Sequence, residues 1–152
     1  MAYLKAVFET GRNAANQSGY LSDVPDAKRR PHYPKGRTPM TTAIHLATSD
    51  DAPRLLTLIA AFHAECGIER SDEQREAALM PLLQGSPLGA AWLFGPAKAP
   101  TGYTIITFGW SMEMGGMDAF IDELFIRPSV RKRGIASEVL MAISSSLAGV
   151  DV

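Results

Sequence analysis

Residues 120 to 147, FIDELFIRPSVRKRGIASEVLMAISSSL, constrain the chain more than any other stretch. Phe120 to Ile126 has the apolar and aromatic content of a strand, and Arg127 to Arg133 makes a short basic connection. From Gly134 a helix is predicted, because Ile135, Val139, Ile143 and Leu147 recur at every fourth position. A strand thus delivers a cationic, glycine-containing loop into a helix N-terminus. The first N–H groups of a helix lack intrahelical partners and carry the positive end of the macrodipole, so this place suits an anion. Gly134 and Ala136 leave the backbone accessible, and Arg131, Lys132 and Arg133 add charge, a combination that fits a pyrophosphate. Taken alone, such a basic triplet is usually a solvated turn, and it can also be a nucleic-acid or localisation patch. A P-loop would need Lys and Ser or Thr after its glycine, and a dinucleotide fingerprint would need further glycines.

The run Arg131-x-x-Gly134-x-Ala136, preceded by Asp122-Glu123-Leu124-Phe125-Ile126-x-Pro128, resembles the acyl-CoA-binding motif of the GNAT superfamily of N-acyltransferases. The resemblance implies an α/β (α+β) fold, a mixed, mainly antiparallel sheet flanked by helices in the order β-α-α-β-β-β-α. It places Leu124, Phe125 and Ile126 along the pantetheine arm of coenzyme A, and Arg131, Lys132, Arg133, Gly134, Ile135 and Ala136 around its pyrophosphate. The implied reaction moves an acetyl group from acetyl-CoA to a primary amine of a small or amino-acid-like acceptor, without a metal or a covalent enzyme intermediate. The alternative is a non-catalytic acyl-CoA-binding or interaction module.

Asp122 and Glu123 are the candidate catalytic pair, since carboxylates inside an otherwise apolar strand cost free energy unless water, a partner or a function offsets it. Strand alternation sends the two to opposite faces unless a bulge intervenes. By resemblance, Glu123 best matches the acid that takes the substrate's proton. A salt bridge across the sheet, for instance to Arg127, is the plain structural reading. Backbone donors near Leu124 and Phe125 would face the oxyanion.

Upstream, Thr42 to Ala47 reads as a first strand. Thr48 or Ser49 caps a helix with Leu55, Leu56, Ile59, Phe62 and His63 inward and Gly67 at its end. Ser71 to Gln74 has capping-box spacing, so a second helix runs to about Leu83. Its apolar side is Ala77, Ala78, Leu79, Leu82 and Leu83. Ala90 to Phe94 and Tyr103 to Ser111 read as strands, and Gly115-Gly116 as a tight turn into the next strand of a meander. In GNAT folds the first two helices border the acceptor pocket, which makes Phe62 and Glu65, with Glu69 and Arg70, candidate substrate contacts. Trp110, beside Met112, Met114 and Met117, reads as core or as a flexible pocket wall on the substrate side.

The lone Cys66 admits no intramolecular disulfide and no zinc site by itself, and points to a reducing, cytoplasmic setting. Its expected role is a small buried thiol near a helix end, with His63 close enough for contact. With 15 basic and 16 acidic side chains, nothing in the charge balance suggests a polyanion partner. No run reaches the ~20 apolar residues of a membrane span. Residues 1 to 39 hold prolines at 25, 31, 34 and 39 and few apolar residues after Phe8, and read as a disordered arm before a domain over residues 40 to 152. The family's usual fifth strand would begin near Gly149, and none of Tyr3, Tyr20, Tyr33 and Tyr103 lies where its general-acid tyrosine would. The expectation is a domain truncated before that strand, without an assignable general acid, whose exposed sheet edge pairs with a second chain as a homodimer.

Overall fold

The computed structural model describes residues 42–148. The expected N-terminal arm and the point where a fifth strand would start lie outside the described residues. The elements follow in the order β1 (Ile44–Leu46), α1 (Ala52–Cys66), α2 (Asp72–Leu83), β2 (Gly89–Phe94), β3 (Gly102–Ser111), β4 (Gly116–Ile126) and α3 (Ile135–Ala148). Single 3-10 turns at Ser49–Asp51 and Pro128–Val130 lead into α1 and follow β4. The strands form one antiparallel sheet in the order β1-β2-β3-β4. This is the α+β arrangement, with the expected element order.

Local chemistry explains the helix bounds. Ser71 and Gln74 exchange side-chain and backbone hydrogen bonds, the capping box read from the sequence. Gly67 at φ +69° ends α1, and its neighbour Ile68 returns a bond to the His63 carbonyl. The Asp51 carboxylate ties the entry to α1: it accepts from the Thr48 N–H and hydroxyl and from Arg54. Burial works to raise its pKa, but these donors and nearby His45 hold it below the usual carboxylate value. Pro81 stands inside α2. It deprives the Ala77 carbonyl of its helical donor, at an exposed turn.

Two apolar layers cover the sheet. On one face Leu55, Leu58 and Ile59 of α1 and Leu79 and Leu83 of α2 pack on Leu93, Tyr103, Ile105 and Phe125. On the other, Val139, Ile143 and Leu147 of α3 pack on Trp92, Phe94 and Ile106. Each fully buried side chain of this kind contributes about 1.5–3 kcal/mol. The inward side of α2 is narrower than expected, since Ala77 and Ala78 are exposed. Cys66 is exposed as well: it is the last residue of α1, past the stripe that ends at His63.

β4 starts at Gly116, four positions before the expected Phe120, because the β3 ladder continues to Ser111 opposite Gly116. The turn accordingly spans 112–115, with Gly115 at φ +64°. Within β4 the register shifts: Ile105 faces Glu123 while Ile106 faces Ile121, so Asp122 is the extra residue of a β-bulge.

Candidate active site

The bulge decides where the strand's carboxylates go. It leaves Asp122 exposed and turns Glu123 to the α1 side, beside Phe125 and opposite Ile105. His63 sits one turn past Ile59 on the buried side of α1, with its Nε2 2.9 Å from Glu123 Oε1. From β3 the Tyr103 hydroxyl donates to Glu123 Oε2 at 2.6 Å. Thr104 Oγ1 donates to the Glu123 carbonyl at 2.8 Å, pinning the backbone beside the bulge. Each carboxylate oxygen therefore has a partner from a different element. Behind His63, Arg75 of α2 donates from Nε to Nδ1 at 3.3 Å, and its Nη1 binds Asp72 at 2.7 Å. Burial, then the bond to the Glu123 carboxylate, pushes the Tyr103 phenol far above its ordinary value of 10.0.

Alongside this cluster runs a groove of about 450 Å³ between α1, the end of β4 and the start of α3. Leu124, Phe125 and Ile126 form one wall, and Arg131, Lys132, Gly134, Ile135 and Ala136 the floor. Phe62, Glu65 and Cys66 supply the opposite wall from α1. All the residues expected at the cofactor lie together here except Arg133, which is exposed outside the lining. Gly134 has φ +81°, a conformation that disfavours side chains, and a Cβ there would project into open space.

Arg131 is engaged on three sides. Nη1 and Nη2 each bind a Glu65 oxygen at 2.7 Å, Nε binds the Ile126 carbonyl at 2.7 Å, and the guanidinium lies 5.5 Å from the Phe125 ring centre. The pair lowers the Glu65 pKa and raises that of Arg131, chiefly through these hydrogen bonds. The Phe62 ring meets Tyr103 edge-to-face at 6.4 Å and lies tilted against Phe125 at 6.2 Å, joining the groove to the Glu123 cluster.

Trp110 is placed elsewhere. It pairs with Met117 near the β3–β4 turn and is 65% exposed, so it is neither core nor a neighbour of Glu123. The sequence reading missed His63, Tyr103 and Arg75 as partners of Glu123. A buried histidine on the inward stripe and a tyrosine on the same sheet face as Phe125 were the available signals.

Among solved structures, the chain is similar to an integron cassette protein from the mobile metagenome of Cole Harbour Salt Marsh, at 30% identity and TM-score 0.65 over 69% of each chain. It is also similar to a GNAT family acetyltransferase of Staphylococcus aureus, at 14% identity and TM-score 0.59 over 70% of this chain and 77% of that one. The chain has the fold of a GNAT family acetyltransferase. A third neighbour is a predicted acetyltransferase with acetyl-CoA from Clostridium acetobutylicum, at 18% identity and TM-score 0.58 over 68% of this chain and 71% of that one. No protein-family model and no curated protein matches the sequence. Among the described residues of this GNAT fold, no helix is long and apolar enough to cross a membrane, and no group of three or more His, Cys, Asp or Glu could hold a metal ion.

Proposed function

We propose that the chain is an N-acetyltransferase that moves an acetyl group from acetyl-CoA to a primary amine of a small or amino-acid-like acceptor. The observation that carries this reading is Glu123, a carboxylate held by Tyr103 and His63 next to a groove whose floor is a helix N-terminus and whose wall is a strand. The acetyl-CoA-bearing neighbour from Clostridium acetobutylicum supports the choice of donor. Leu124 to Ile126 would line the pantetheine, and Gly134, Ala136 and the nearby cations would take the pyrophosphate. Phe62 and Glu65 would border the acceptor.

Glu123 then takes a proton from the acceptor's ammonium, directly or through water, and the freed amine attacks the thioester carbonyl. The carbon–sulfur bond breaks, coenzyme A leaves as its thiolate, and the second proton that the nitrogen sheds on becoming an amide goes to that thiolate or to water. Asp122 is exposed at the bulge and is the weaker candidate base.

The test is coenzyme A binding by calorimetry, followed by acetyl-CoA turnover with a panel of amines. Gly134→Glu should abolish binding by filling the seat and setting a negative charge against the phosphates. Glu123→Gln should lower turnover by about 10²-fold or more with little change in coenzyme A affinity. Binding without turnover for any amine would leave an acyl-CoA-binding module, and unchanged affinity in folded Gly134→Glu would sink the site.

A further inference from the structure

We propose that Arg75 is a positioning residue that works through His63: it fixes the imidazole in the tautomer that presents an N–H to Glu123, and so holds the base in its working orientation. This rests on Glu123 being the general base. Arg75 and His63 do not line the groove, and nothing in the sequence motif points to either.

The argument follows from donor inventory. A guanidinium only donates, so the Arg75 Nε–H aimed at His63 Nδ1 from 3.3 Å requires a bare lone pair there. The neutral ring then carries its hydrogen on Nε2, 2.9 Å from Glu123 Oε1, and an ionised carboxylate only accepts. The other neutral tautomer is wrong at both ends. It would set a lone pair against the carboxylate and a donor against the guanidinium donor. A ring protonated on both nitrogens would satisfy Glu123 but oppose N–H to N–H, and cation to cation, at Arg75.

Arg75 can impose this choice because it is itself fixed. Its side chain is 13% exposed and is tethered by Asp72 one turn earlier in α2, while Leu79 and Leu83 hold that helix on the core. The order Asp72, Arg75, His63, Glu123 thus runs from the surface of α2 through α1 to β4. With Tyr103 on the other oxygen, both carboxylate oxygens have a partner and the group is fixed in place for the incoming ammonium.

Nitrogen-15 NMR of the histidine rings tests this without reference to activity. In the parent protein His63 should be the Nε2–H tautomer. Finding Nδ1–H there would overturn the proposal, whatever any variant does. Arg75→Met removes the donor and keeps the stem. It should give mixed tautomers and a kcat about 3- to 10-fold lower, the worth of one hydrogen bond, with coenzyme A affinity unchanged. Arg75→Lys, which retains a donor, should recover part of both. An Arg75→Met protein that folds and keeps the parent tautomer overturns the inference whether kcat falls or not. That result leaves the acetyltransferase reading in place, whereas full activity of Glu123→Gln would remove the general base and this inference with it.

Discussion

Tyr103 is a phenol without surface exposure, bonded to a carboxylate. Its pKa is raised in the folded chain, so the sign of its effect on stability is fixed. Below the ordinary tyrosine value of 10.0 the folded and unfolded chains both keep the proton and the contribution is complete. Above it the unfolded chain releases the proton and the folded chain does not, so stability falls as pH rises. Urea unfolding across the alkaline range should show this slope. Tyr103→Phe should flatten it and cost about 1.5–3 kcal/mol at neutral pH, because Glu123 Oε2 loses its donor. The sequence pointed to Glu123 through its motif and through the cost of a carboxylate in an apolar strand. It did not reveal the partners. His63 and Tyr103 lie 60 and 20 residues away from it, and periodicity tells which face a side chain takes, not which atom it meets.

Between elements, the informative contact is the one that Glu65 of α1 makes with Arg131 of the loop before α3. Both were expected at the site, Glu65 toward the acceptor and Arg131 toward the phosphates, and the two are bound to each other across the groove. A phosphate arriving at Arg131 would therefore compete with an internal carboxylate. Glu65→Gln should raise coenzyme A affinity by up to about fivefold, the range of an exposed ion pair, and calorimetry at low salt is the measurement. A fall in affinity would mean that Glu65 orients Arg131 for the ligand. Helix bounds were legible where a cap states them, at Ser71 and Gly67. The start of β4 was not, because Gly116 to Ala119 carry little strand signal and join the sheet only through their register with β3.

For the molecule as a whole, β4 is the outer strand of the described sheet, with β3 on one side only. Phe120 and Ile121 are 60% and 52% exposed on it, so backbone and apolar surface are open together. We expect association through this strand at high concentration, and light scattering on Phe120→Lys should show less of it. An unchanged mass distribution would assign any association to another surface. The bulge bears on the same strand. Ile121 faces α3 and Glu123 faces α1, as adjacent residues would in an unbroken ladder. Cutting Asp122 out of the chain would therefore leave every other β4 side chain on its present face, whereas a one-residue cut at another ladder position would turn part of the strand over. β4 holds a spare residue at a single place, next to its carboxylate, and that is where its length can change without exchanging inside for outside.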